Sequence, residues 1–122
     1  MIFLFYIAGN YILVVTGWDG SNIRSDAQVI NLENPSNRCR SVPDYPVAMI
    51  GGSVGILDKN QLVCGGYSSS DERLKTCHIF DTDAKEWKLF GNMATARDSH
   101  AIATFPNGSL WITGKHFTLI TQ

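Results

Sequence analysis

Leu62-Val63-Cys64-Gly65-Gly66-Tyr67 is a short apolar run that ends in a glycine pair and an aromatic residue. The same signature stands at Leu13-Val14-Val15-Thr16-Gly17-Trp18 and again at Leu110-Trp111-Ile112-Thr113-Gly114-Lys115. Gly17 and Gly66 are 49 residues apart, and Gly66 and Gly114 are 48 apart. Apolar runs of this length bounded by glycine read as strands. Self-similarity at about 40 to 50 residues marks one supersecondary unit repeated, each copy sealing its neighbour's hydrophobic face.

Within residues 52–99 the unit lays out as four strands, 53–57, 61–65, 76–81 and 87–90. Asp58-Lys59-Asn60 and Asp81-Thr82-Asp83-Ala84-Lys85 supply turns, and 67–75 is a polar loop. Residues 11–51 repeat the plan through 11–16, 27–32 and 39–42, leading into Pro43-Asp44-Tyr45-Pro46. Residues 100–122 begin a third copy, with a hairpin turn at Asn107-Gly108. No helical period of apolar residues appears. The expectation is an all-β chain of β-propeller blades, each of four antiparallel strands, amounting to about two and a half blades of an incomplete ring. Residues 1–10 are either an N-terminal strand or an atypical signal segment. Propellers close with roughly 4 to 8 blades, so the chain is expected to be a fragment of a larger propeller. Its first and last blades should then present apolar faces and unpaired edges that favour self-association.

The ordered set Cys64-Gly65-Gly66-Tyr67, Ile79-Phe80-Asp81, Trp87 and Met93-Ala94-Thr95-Ala96-Arg97-Asp98-Ser99-His100 resembles a blade of the kelch repeat family, and the resemblance covers residues 11–114. It implies kelch-type blades and recruitment of a protein partner. The first and third copies keep one glycine of the pair, in Thr16-Gly17 and Thr113-Gly114. Cys39 takes the slot of Trp87, Met49 that of Arg97 and Gly52 that of His100, so the blade at 11–51 is a diverged copy.

With 10 basic and 11 acidic residues and no Lys/Arg run, the 122-residue chain lacks the footprint of a nucleic-acid or membrane-surface binder. The first 18 residues carry no charge, yet residues 2–7 form an apolar stretch shorter than a secretory core of about 7 to 15. Gly9-Asn10 interrupts the stretch before it could span a bilayer. Shifting residues 52–57 back by the repeat interval lands on 3–8, which favours a strand.

Cys64 and Cys77 form the candidate disulfide. Pairing Leu62 with Ile79 across adjacent strands also sets Cys64 opposite Cys77, and the first copy holds Val15 opposite Ala27 in the same places. Some kelch-like proteins of invertebrate type resemble this chain in having Cys-Gly-Gly followed by a cysteine on the next strand. Two readings stay open: a bridge, which implies a secreted, extracellular setting and leaves Cys39 free or paired elsewhere, or two buried thiols packing as small hydrophobes in a cytoplasmic protein. Asn107-Gly108-Ser109 fits the glycosylation pattern and equally the tight turn of a hairpin.

No enzymatic chemistry emerges. The glycine pair is followed by a loop and a strand rather than a helix that could receive a phosphate. His78, His100 and His116 lack metal-ligand spacing. Asp81 with Asp83, and Asp71 with Glu72, are solvated turn carboxylates. Neither catalytic residues nor a cofactor is expected. Galactose-oxidase-like copper enzymes also contain kelch-like blades, and a fragment of such an enzyme is the alternative; His100 is the residue best placed for it. The leading expectation is a protein–protein interaction module. Strand alternation brings the loops at 18–24, 67–75 and 92–97 to one side, where Trp18, Arg24, Tyr67, Arg73 and Arg97 are candidate contacts, because aromatic residues and arginine anchor protein interfaces. The competing role for Trp18 and Tyr67 is to plug the strand ends.

Overall fold

The computed structural model describes residues 2–8, 10–33, 40–58, 60–81, 83–107, 109–113 and 118–120, with backbone alone for 2–8, 11, 40–41, 113 and 118–120. Cys39, Gly108, Gly114 and His116, singled out in the sequence, lie outside the described residues. Among the described residues the chain is all-β and has no helix.

The first sheet holds β1 (Ile2–Ala8), β2 (Tyr11–Trp18), β3 (Ile23–Asn31) and β4 (Arg40–Val42), ordered as they occur in the chain. A two-residue ribbon pairs β5 (Met49–Ile50) with β8 (Tyr67–Ser68). The second sheet is β6 (Ser53–Leu57), β7 (Asn60–Cys64), β9 (Thr76–Asp81) and β10 (Glu86–Asn92). The third is β11 (Ala101–Thr104), β12 (Leu110–Thr113) and β13 (Thr118–Ile120). Every pairing is antiparallel. These are blades of a kelch-type propeller, and the ring they begin is not closed.

Turn chemistry sets the hairpins. The Asp81 carboxylate accepts the N–H groups of Asp83 and Ala84 at 3.0 Å each, closing the connection from β9 to β10. Asp19 does the same for Ser21 and Asn22 at 2.8 Å between β2 and β3, and Asn107 accepts Ser109 N–H at 3.0 Å between β11 and β12. Short Asp and Asn side chains stabilise such turns by mimicking a backbone acceptor.

Alternation then divides each sheet into two faces. In β7, Leu62 and Cys64 join Leu57, Cys77, Met93, Leu110 and Ile112 in the core between the second and third sheets. Val63, one residue along, packs with Val15, Ala27, Tyr45 and Met49 between the first and second. Gly55 is required at the seam between the second and third sheets: a Cβ there would lie 2.7 Å from the Ile102 Cγ2 methyl, so the glycine lets β11 approach β6. Trp87 is a packing group, edge-on to Tyr45 and Phe80 at 5.0 and 5.1 Å, with its indole N–H donating to the Pro43 carbonyl at 2.9 Å.

The sheet pairings also fix how the repeats correspond. Ala103 faces Trp111 as Gly55 faces Leu62, so Trp111, rather than Leu110, occupies the position of Leu62. The β11–β12 connection is longer than the β6–β7 connection, and the 48-residue glycine spacing is therefore one residue short of the structural repeat in this strand. In β2, a register shift between Val15 and Gly17 leaves Thr16 at φ 56°, where the second sheet has Gly65 at φ 68°. The first blade thus keeps the left-handed conformation after losing its first glycine, at a cost of about 1–3 kcal/mol.

Candidate protein-interaction face

The loops that follow β7 and β10 are sewn together through the backbone. Gly66 N–H donates to the Arg97 carbonyl at 2.7 Å, Arg97 N–H to the Leu74 carbonyl at 2.9 Å, and Leu74 N–H back to the Gly66 carbonyl at 2.8 Å. Met93 N–H reaches the Lys75 carbonyl at 2.7 Å and Ser99 N–H the Gly51 carbonyl at 2.6 Å. Residues 43–48 tie in the first sheet: Tyr45 N–H donates to the Ser25 carbonyl at 2.7 Å, and Ser69 N–H to the Ala48 carbonyl at 3.3 Å. Backbone satisfaction of this kind holds irregular segments in one arrangement.

Gly65 and Gly66 make the crossing possible. A Cβ on Gly65 would lie 2.5 Å from the Arg97 carbonyl oxygen, and one on Gly66 would lie 2.6 Å from the Met49 sulfur. The glycine pair is therefore a point of close backbone approach.

Two exposed groups of side chains stand on this scaffold. Trp18 is 40% exposed and pairs with Ile23 across β2 and β3, next to Arg24. Arg24 donates through Nε to Asp26 at 3.1 Å and lies 3.5 Å from Asp19. The Asp19 carboxyl is held below its ordinary range, first by the N–H groups of Asn22 and Ser21, and the Arg24 guanidinium is pushed up, chiefly by its hydrogen bond to Asp26. In the second group Tyr67 and Arg73 form a β-bridge. Arg73 Nε meets Asp98 at 2.6 Å, and the Tyr67 hydroxyl donates to Asp71 at 3.3 Å. The neighbouring Asp71 charge is the main reason the Tyr67 hydroxyl is raised above its usual range.

Arg97 stands apart from the other four candidates: it is 5% exposed, beneath the crossing of the loops. Its neighbour His100 places Nε2 2.6 Å from the Ser53 hydroxyl. Burial, and then the Arg97 charge, depress its basicity. Asp71 was read from the sequence only as a solvated turn carboxylate, and neither it nor Asp98 was counted there among the candidate contacts. Asp98 is 25 residues from Arg73, and a lone aspartate in a loop gives no local sign of its partner.

The sulfurs of Cys64 and Cys77 lie at disulfide distance, with Cα atoms 4.1 Å apart. Among the described residues no group of three or more His, Cys, Asp or Glu converges as a metal site, and no helix is long and apolar enough to cross a membrane.

Comparison with known proteins agrees with the blade architecture. The chain is similar to Kelch-like protein 21 of Bos taurus, 26% identical over 72 residues, which is 58% of this chain and 12% of the relative. It is 25% identical to Kelch-like protein 21 of Homo sapiens, with the same coverage. The matched stretch is thus about an eighth of the length of these curated relatives, and no family model matches the chain. The similarity supports a kelch-type relationship and, in general terms, protein–protein interaction.

Proposed function

We propose that this chain is a protein–protein interaction module built from kelch repeats, part of a larger propeller protein, without catalytic residues or cofactor of its own. What supports this reading is the backbone-stitched pair of loops that carries Tyr67 and Arg73, together with the exposed Trp18 and Arg24 at the β2–β3 end of the first sheet. Aromatic and arginine side chains on a fixed frame bind a partner with little further loss of conformational freedom. The ion pairs of Arg24 and Arg73 are solvent-exposed and contribute little to stability, so they can be exchanged for contacts with acidic groups on a partner. Arg97 supports this surface from beneath it. Self-association through the open blade faces belongs to the same reading. The disulfide-distance Cys64–Cys77 pair supports a secreted, extracellular setting for the oxidised form, the reduced form fitting a cytoplasmic one.

The test is capture of interacting proteins by the immobilised chain, compared with Trp18→Ala/Tyr67→Ala and Arg24→Ala/Arg73→Ala variants. Both pairs should lower recovery of the same partner at least about tenfold, a loss of 1.4 kcal/mol or more, while urea midpoints stay near that of the parent. Undiminished recovery contradicts the proposal. Loss of the fold in the first pair would assign Trp18 and Tyr67 to plugging the sheet ends.

A further inference from the structure

The connection between β11 and β12 holds Asn107-Gly108-Ser109, the one place in the chain where an asparagine is followed two residues later by Ser or Thr with no proline between them. Asn34-Pro35-Ser36 has the same spacing but carries the proline that excludes it. Asn107 is exposed. Its Oδ1 accepts the Ser109 N–H at 3.0 Å and the Ser109 hydroxyl at 2.6 Å, and the Phe105 N–H donates to the Ser109 carbonyl at 2.9 Å. A backbone N–H can only donate, so the Asn107 atom facing it is the amide oxygen. Nδ2 takes part in neither bond to Ser109.

This position stays at the surface even where a sheet is covered on both faces. Ile102 lies against Gly55, and Thr104 Oγ1 donates to the Ile56 carbonyl at 2.9 Å, so β11 runs beside β6 in the same direction and its turn stands next to the one after Leu57. The second sheet packs against both neighbours, yet Asp58 in that turn is exposed. The loop bearing Tyr67 and Arg73 follows the other end of β7. A bulky group on Asn107 therefore clears both the seams between sheets and those candidate contacts.

We propose that Asn107 is a site of N-glycosylation. An asparagine with a hydroxyl two residues on, in a surface loop, is the acceptor that this chemistry reads. The transfer joins Nδ2 to C1 of the first sugar of an oligosaccharide carried on a lipid pyrophosphate. It breaks the C1–O bond to the pyrophosphate and releases a proton from Nδ2, and nothing is oxidised or reduced. A separate feature fits the same compartment, since the Cys64 and Cys77 sulfurs lie at disulfide distance. The modification rests on the secreted setting of the oxidised chain and makes no use of the loop contacts.

Protein isolated from its natural source and treated with peptide N-glycosidase in heavy-oxygen water tests this. Position 107 should be released as aspartate carrying heavy oxygen, with no label in an enzyme-free control. An unmodified Asn107 before treatment overturns the proposal. When the chain is secreted from eukaryotic cells, Asn107→Gln and Ser109→Ala should each lose the enzyme-sensitive shift in electrophoretic mobility. Ser109→Thr, which keeps the hydroxyl, should retain it. A shift that persists in Ser109→Ala overturns the assignment equally. Thiol counting on the natural-source protein separates this from the compartment: one reactive thiol of the three cysteines without a glycan removes the modification alone, and three reactive thiols without a glycan remove the secreted setting as well.

Discussion

The Tyr45 hydroxyl and Nδ1 of His78 meet at 3.0 Å where the first and second sheets join. The same hydroxyl lies 3.3 Å from the Val63 carbonyl, and the tyrosine ring is edge-on to both His78 and Trp87. Burial pushes the Tyr45 hydroxyl far above its ordinary range, so it remains a neutral hydrogen-bonding group. Tyr45→Phe should cost about 1–3 kcal/mol, because polar partners at the seam lose their bond. Tyr45→Ala should cost about 3–5 kcal/mol through the cavity it leaves. Urea unfolding measures both, and a Tyr45→Phe midpoint equal to that of the parent would show that the hydroxyl contributes nothing.

Acid should loosen both seams. His78 is held below the ordinary value of 6.5 by burial, and His100 by burial first and the Arg97 charge second. The folded chain therefore resists protonation that the unfolded chain accepts. The stability these residues contribute is complete above pH 6.5 and is lost as the pH falls through 6.5 toward their folded values. Urea midpoints should fall between about pH 7 and pH 5. His78→Asn and His100→Asn should each flatten part of that slope; a midpoint that rises on acidification contradicts the assignment.

Glycine positions should differ sharply in their tolerance. Gly65→Ala places a methyl 2.5 Å from the Arg97 carbonyl oxygen and 2.6 Å from His100 Cε1, on a backbone at φ +68°. The expected loss combines about 1–2 kcal/mol for the left-handed conformation with about 1–3 kcal/mol for overpacking. Gly91 has no atom within 4 Å of the corresponding position, so Gly91→Ala should stay within about 0.5 kcal/mol. Paired thermal melts would show the contrast.

An oxidised Cys64–Cys77 pair leaves one of the three cysteines to react with a thiol reagent in denaturant. The bridge spans a sequence separation of 13, for which reduction should remove about 3 kcal/mol. Protein isolated from its natural source with three reactive thiols would return the pair to the role of small buried hydrophobes.

Register was the part of the fold most open to reading from sequence. Placing Leu62 against Ile79 determines Cys64 against Cys77, and Leu13 against Val29 determines Val15 against Ala27; all four pairs occur. They were legible because strand period is 2 and a slip of one residue would turn the apolar set outward. The Met49–Ile50 ribbon was not legible, since two residues give no period and its partner lies across a long loop. Tyr45, in a proline-flanked segment, reads as linker, yet it is 2% exposed because residues 43–48 fold back over the seam. Arg97 carries the charge expected of a surface contact but is covered by the loop whose backbone it holds. Local sequence does not encode which loops cross.

The central claim is that successive sheets seal one another's apolar faces, and the contact of Ile102 with Gly55 tests it most directly. Nuclear Overhauser spectra of the labelled chain should show a strong cross-peak between the Ile102 Cγ2 methyl and the Gly55 α protons, which belong to different sheets. Absence of that cross-peak in a folded chain, with Ile102 instead contacting only its own sheet, would contradict the blade arrangement.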